Sequence, residues 1–551
     1  MNVLFVLYGD LSGNSGVPLK LHARELARLG HDCAVALPPG ASTEDGDPIA
    51  GLRIASYAEA LAHPASLFAD GRPADILHAW TPREGVRRFV AAYLATRATP
   101  WVIYLEDNER YLATTSLGLI GMHEETILQH TEDVISRWTP DGMPHVLRHD
   151  HFIALADAAV VIQDKLRPEV PPWVPCTTVM PGTDLAAFAP RAPDETLRRA
   201  YGVDDGERVI VYPGGLNDFT RPGIESLCRA VGLINARGRP CRLLRSGPVA
   251  LDFLHRLPPQ VAQFVRDLGA LPRAELPALY ALADVFVQPG KNHPFEDLRL
   301  PGKLPELFAS GRPVVLPDTN IASMLRDGED ALLHRTGSPE EIAEKCLALM
   351  ADPERARRIG EGGRRFAEKH FDPRKQAAIL EEAYRDARAA FDPQIAARLW
   401  TGASQDEALP SLVARRIRLL ADAGNPNGEM LRAHASALEF GVARARGLEA
   451  GMAWRDAEMI KRDAQIEEIR GEVATRDGHI TNLQRGVSDL NARVAELGHV
   501  VASRDLEIQA HQRQAEVIRS SLSWRVTRPL RALANLWEAA RRRVRGDQRR
   551  P

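Results

Sequence analysis

Lys303 and Glu306 lie in "EDLRLPGKLPELFASGRPVVLPD", residues 296–318, where acids, cations and prolines stand just ahead of an apolar run. A carboxylate at a helix start is stabilised by the exposed first-turn amides, so Glu306 taken alone has a local explanation. Its company suggests more. Arg221, Arg245, Arg299 and Lys303 could converge in this half, and guanidinium and ammonium groups that converge suit a diphosphate. "VYPGGLNDFTRPG" brings Gly215 and Asn217 into the turn just ahead of Arg221. Near the start of the chain, "YGDLSGNSGVPLK" places Gly9, Gly13 and Gly16 where a helix begins, a turn whose amides would receive a phosphate. The spacing is not the dinucleotide fingerprint. Two further stretches, "DILHAWTPREG" and "WVIYLEDNERYL", deliver His78, Arg83, Glu106, Asp107, Asn108 and Glu109. Four consecutive polar residues after an apolar run are costly to bury unless they serve a ligand, and a solvated Asn turn is the plain alternative.

The elements that must position these residues are short β-branched runs alternating with amphipathic segments. "VLFVL", "CAVAL", "DILHAW", "WVIYLE" and "AAVVIQ" form one series. "RVIVYPGG", "CRLLRSG", "ADVFVQPG", "GRPVVLP" and "ALLHR" form a second. This alternation predicts parallel βαβ units in two doubly wound halves, residues 1–190 and 191–390. Ligands of such sheets lie outside the carboxyl ends of the strands, and two halves facing each other make a cleft.

After about residue 375 the strand signals stop. Residues 391–453 read as a helical linker and 454–522 as a coiled coil. Met459, Ile466, Val473, Ile480, Val487, Val494, Val501 and Ile508 recur at steps of seven, with Ile469, Leu483, Leu490, Leu497 and Ile518 on the second seam position. β-branched residues followed by Leu favour a parallel homodimer over a trimer, with Arg462, Arg476 and Arg504 as register markers. Residues 523–551 carry nine arginines against Glu538 and Asp547, above a stripe of Leu530, Leu533, Trp537, Ala540 and Val544. Such a helix fits an anionic membrane surface.

At 551 residues and 44% hydrophobic content, the chain is long enough for two or three units with substantial cores. Lys plus Arg number 70 against 73 for Asp plus Glu, so nothing in the overall balance points to nucleic acid. The five cysteines are odd in number and widely spaced, which argues against a disulfide framework and for a reducing compartment. "MNVLFVLYGD" lacks the basic leader of a signal peptide, and no run is long enough to span a bilayer. The expectation is a cytoplasmic protein, peripheral at the inner face of the cell membrane.

The Gly-rich first turn, "MPGTDLAAFAP", "YPGGL" and "RLPGKLPELFASGRPVVLP" together resemble the glycosyltransferase family 4 enzymes of GT-B fold, over about residues 1–390. The resemblance implies a retaining transferase with no required metal. The nucleotide sugar would bind chiefly against the second half, and the acceptor would approach from the first. It also implies that Glu306, matching the second acid of the paired-glutamate motif, accepts hydrogen bonds from ribose hydroxyls. Lys303 and the other cations would stabilise the departing diphosphate. The sequence departs from the family pattern in three places. Leu298 stands where the first motif acid belongs, leaving Glu296 or Asp297 to reach in. Leu216 and Asn217 replace the usual basic residue after "GG". "YLED" replaces a His-Asp pair, making Glu106 and Asp107 the leading residues for sugar or acceptor contact. "SLSWRVTRPLR" is similar to C-terminal tails of bacterial polysaccharide glycosyltransferases, which implies a lipid-linked glycan acceptor. Two alternatives share the fold: a sugar-nucleotide epimerase or phosphorylase, and a non-catalytic coiled-coil scaffold.

Overall fold

The computed structural model describes residues 1–42, 51–119, 132–216, 220–248, 253–291, 293–400, 409–422 and 431–439. From 470 onward it describes 470–471, 475–476, a broken series between 482 and 500, 503–517, 519–520 and 528–546. The chain divides into two compact units, Met1–Ala453 and Trp454–Pro551.

The first unit holds two parallel sheets. Strands β1 (Asn2–Val6), β2 (Asp32–Leu37), β3 (Arg53–Ser56), β4 (Ile76–Trp80), β5 (Trp101–Leu105), β6 (Ala158–Val161) and β7 (Cys176–Thr178) lie in the order β3-β2-β1-β4-β5-β6-β7. Strands β8 (Arg208–Pro213), β9 (Cys241–Ser246), β10 (Val265–Asp267), β11 (Val285–Val287), β12 (Val314–Pro317) and β13 (Leu332–His334) lie in the order β10-β9-β8-β11-β12-β13. All of the central strands are buried along their length, as strands covered by helices on both faces must be. Strand order reverses between β1 and β4 in the first sheet and between β8 and β11 in the second. A crevice forms at such a reversal, because the flanking loops leave in opposite directions.

The chain then returns to the first sheet. Helix Pro373–Ala390 lays Tyr384 against the interior, where its hydroxyl meets His78 Nδ1 at 2.5 Å, and Glu381 pairs with His31 at 2.9 Å. His78 is therefore a buried strand residue stacked beside Trp80, not a group at the rim. Arg416, on helix Leu409–Asp422, pairs with Asp157 at 3.0 Å beneath β6.

In the second unit the described residues from Arg470 to Ser520 are helical. Leu483, Val487, Leu490, Val494, Leu497 and Ile508 are all more than half exposed there. Met459, Arg462, Ile466, Ile469, Val473, Ile480, Val501 and Ile518 lie outside the described residues. Helix Arg528–Gly546 carries exposed Leu533, Leu536 and Trp537, with the Arg541 guanidinium 4.7 Å from the Trp537 ring centroid. Among the described residues, no helix is long and apolar enough to cross a membrane.

Candidate functional site

At the reversal of the first sheet, the carboxylate of Glu106 is the hub. It leaves the end of β5 and accepts hydrogen bonds from Ser15 Oγ and from Trp80 Nε1, the latter at 2.9 Å. Tyr8 Oη completes the ring, 2.8 Å from Ser15 Oγ. Arg83 lies between the other two acids, 3.3 Å from Glu109 and 3.8 Å from Asp107, with its guanidinium 4.7 Å from the Tyr8 ring centroid. Three acids thus share one arginine. Burial and then the Asp107 charge push the Glu106 carboxyl up from the usual carboxylate range. Burial pushes Glu109 up to about 8, with Arg83 pulling the other way. Beside them, fully buried Thr81 has φ 69°, a left-handed conformation that a β-branched residue adopts only under constraint.

Gly13 and Gly16 serve the close packing of the first turn itself. A Cβ on Gly16 would lie 2.1 Å from the Leu11 carbonyl oxygen, and one on Gly13 3.1 Å from that of Asp10. The Gly13 and Gly16 amides donate to the Asp10 and Gly13 carbonyls at 3.0 and 3.1 Å. These two donors are committed within the loop. Helix Gly16–Arg28 has Ser15 at its N-cap without a side-chain cap, because the Ser15 hydroxyl has turned to Glu106.

At the reversal of the second sheet, the Lys303 ammonium stands 3.7 Å from the Tyr212 ring centroid, above the end of β8. Gly214 leaves the room for it, since a Cβ there would meet Nζ at 2.4 Å. Burial, and then the Arg299 charge, hold the Lys303 amine well below its ordinary range. Arg299 lies 3.6 Å from Glu296 and over the Phe295 ring. Glu296 Oε2 is buried and has no hydrogen-bond partner among the described residues. Gly215 has ordinary contacts with Pro248, and Arg221 opens helix Arg221–Ala236 next to that turn. Asn217 lies outside the described residues. Lys303, Arg299 and Glu296 are thus brought together, with Gly215 and Arg221 at the loop beside them.

Arg245 and Glu306 lie near enough to Lys303 to act on its charge, and each also has partners within its own half. Arg245 is fully buried and donates to Asp267 at 2.8 Å and to the carbonyls of Pro248, Gly214 and Gly247 at 2.6, 3.1 and 3.3 Å. It ties together the loops after β8, β9 and β10, so its charge is answered inside the domain. Glu306, on helix Leu304–Ala309, is also buried. Its Oε1 pairs with Arg273 at 2.6 Å, and its Oε2 accepts from Tyr280 Oη at 2.9 Å. Burial raises its pKa, with Arg273 the main opposing influence. Each carboxylate oxygen retains lone-pair capacity for a further donor.

Sequence reasoning missed Tyr212, Arg273, Tyr280, Ser15 and Trp80. An aromatic at the end of a strand reads as core, and Arg273 lies 33 positions before Glu306 with no local pattern linking them. Only Ser15, just ahead of a helix, carried a signal, and that signal was for an N-cap.

Comparison with known proteins bears on this region. Residues 207–352 match the family described as Glycosyl transferases group 1, a stretch that runs from the start of β8 past Lys303 and Glu306. The D-inositol 3-phosphate glycosyltransferase of Corynebacterium glutamicum is 31% identical over 39% of this chain and 52% of its own. The GDP-mannose-dependent alpha-(1-6)-phosphatidylinositol monomannoside mannosyltransferase of Mycolicibacterium smegmatis is 31% identical over 38% of this chain and 56% of its own. The chain therefore spans about half the length of the curated relatives it matches. Among solved structures, Anabaena HepE in complex with UDP aligns with TM-score 0.50 and 15% identity, over 70% of this chain and all of that one. Sucrose-phosphate synthase of Thermosynechococcus elongatus aligns with TM-score 0.53 and 17% identity, over 71% of this chain and all of that one. The two-sheet unit accordingly has the α/β architecture of the GT-B fold, and its second sheet falls within a region that matches the group 1 glycosyl transferases.

Proposed function

We propose that this protein is a retaining glycosyltransferase that moves a sugar from a nucleotide-sugar donor to a glycan acceptor of a lipid-linked, cell-surface polysaccharide. The observation that carries the reading is the cluster at the end of β8. Lys303 and Arg299 repel one another in a half-buried setting, and the Lys303 amine is held below its ordinary range. A diphosphate offsets that repulsion and favours the charged form of the lysine, which is the stabilisation a departing nucleoside diphosphate requires. The group 1 match runs through these same residues.

In this reading Glu306 takes the ribose hydroxyls, with Tyr280 and Arg273 fixing its carboxylate. Gly215 and Arg221 flank the diphosphate at the turn after β8. Arg245 holds that turn in shape. Glu106 and Asp107, backed by Arg83, meet the acceptor or the transferred sugar from the first sheet. No metal is required, because the cations are supplied by side chains. The exposed seam of the second unit pairs with a second copy of the chain, and helix Arg528–Gly546 lies on an anionic membrane. Product analysis with UDP- and GDP-sugars and isolated lipid-linked glycan tests the reading. Transfer to the glycan is expected. Sugar epimerisation without any acceptor would favour an epimerase, and no turnover of any donor would favour a scaffold.

A further inference from the structure

Helix Pro294–Leu298 touches both halves of the first unit, and its two sets of side chains do different things. Facing the first half, Phe295 stacks on Tyr111 with ring centroids 5.0 Å apart, and Tyr111 also meets His293 edge-on at 5.2 Å. Asp297 Oδ1 accepts from Lys165 Nζ at 2.5 Å, while the Asp297 carbonyl accepts from Gln163 Nε2 at 3.0 Å. Gln163 and Lys165, at the short helix Asp164–Glu169, follow β6, and Tyr111, on helix Glu109–Leu119, follows β5, so these contacts come from two segments beyond strands of the first sheet. Within its own half, Asp297 Oδ1 also accepts from Thr319 Oγ1 at 2.8 Å and from the Asn320 amide at 3.0 Å. Asn320 is buried with φ 47°, a left-handed conformation that non-glycine residues adopt at some cost in strain. Glu296 and Arg299, alternating with these residues, belong to the Lys303 cluster.

We propose that Lys165 and Tyr111 latch onto Asp297 and Phe295 and, through this short helix, position Glu296 and Arg299 for the donor. The donor part of the proposal rests on the nucleotide-sugar reading. Lys165 and Asp297 are each about a third exposed, with side-chain relative accessibility of 35%. A pair wetted to that degree is weak alone, as is one aromatic stack, so the latch can open and close instead of fusing the halves. A ligand that binds the closed state better then shifts the equilibrium toward it. Asp297 is consumed by the latch, which leaves Glu296, with its unpartnered oxygen, as the acid turned to the Lys303 side.

The test uses the full chain with a dye pair on Ala98→Cys and Ala351→Cys, exposed positions in the two halves, in a Cys176→Ser background. Lys165→Ala and Tyr111→Leu are expected to lower transfer efficiency between the dyes without ligand, and Lys165→Arg to restore it. For UDP binding by calorimetry, Lys165→Ala and Asp297→Asn should each raise Kd by roughly three- to tenfold, and the double variant by no more than the stronger single one. Unchanged dye efficiency in both Lys165→Ala and Tyr111→Leu overturns the latch. Additive losses of UDP affinity overturn the positioning role, because they mean Lys165 and Asp297 act independently. A wild-type chain that binds neither UDP nor GDP removes the nucleotide reading, while the dyes still decide the latch.

Discussion

Glu306 and Lys303 stand three positions apart and face different surroundings, so their substitution should separate two kinds of loss. Glu306→Ala strands the buried Tyr280 hydroxyl, at about 1–3 kcal/mol, and removes the ion partner of the part-exposed Arg273. That variant should melt at a lower temperature as well as lose UDP affinity. Lys303→Ala removes an ammonium whose main described contact is the Tyr212 ring, worth about 0.5–2 kcal/mol. It should lose nucleotide affinity with little change in melting. Glu109 supplies a pH test. Its carboxyl is held up to about 8, against an ordinary 4.5, by burial with Arg83 opposing. A raised folded-state pKa gives stability that is complete below the unfolded value and lost as pH rises through the folded one. Melting of the wild type should therefore fall relative to Glu109→Gln between about pH 4.5 and 8, and a flat difference over that window would contradict the assignment.

At the scale of elements, strand ends decide where the charge goes. Arg245 closes β9 in the sequence just as a phosphate ligand would, and nothing nearby in the chain distinguishes the two roles. The distinction needs Asp267, 22 positions later, and the Gly214 carbonyl, 31 positions earlier. Replacing Arg245 by Leu leaves Asp267 buried without its partner, a loss of about 3–5 kcal/mol. The circular dichroism melting midpoint should drop accordingly, with partial recovery in Arg245→Lys. The sheets themselves were legible because buried parallel strands must be apolar and β-branched, and that requirement is written locally. The left-handed Thr81, the Tyr212 platform and the contact of Tyr111 with Phe295 were not, since each depends on which loops the strand order brings together. The first glycine turn shows the converse. Its composition fits a ligand loop, but Gly16 is needed because the Leu11 carbonyl oxygen occupies the space a Cβ would take.

At the scale of the molecule, the two-sheet unit of residues 1–453 and a helical second unit should behave as separable parts. The exposed apolar seam residues Leu483 to Ile508 are expected to make the full chain dimeric in sedimentation, with the 1–453 fragment a monomer. A dimeric fragment would remove the assignment. The full chain should also float with anionic vesicles through the arginines and Trp537 of its last helix, less so at high salt. The central claim is that the residues at the end of β8 hold a nucleoside diphosphate, and calorimetric titration of UDP and GDP into the full chain and into Lys303→Ala tests it most directly. Saturable binding of at least one diphosphate by the wild type, weakened at least tenfold or about 1.4 kcal/mol in Lys303→Ala, is the expected result. Equal affinity in the two proteins, or no binding to either nucleotide, would contradict it.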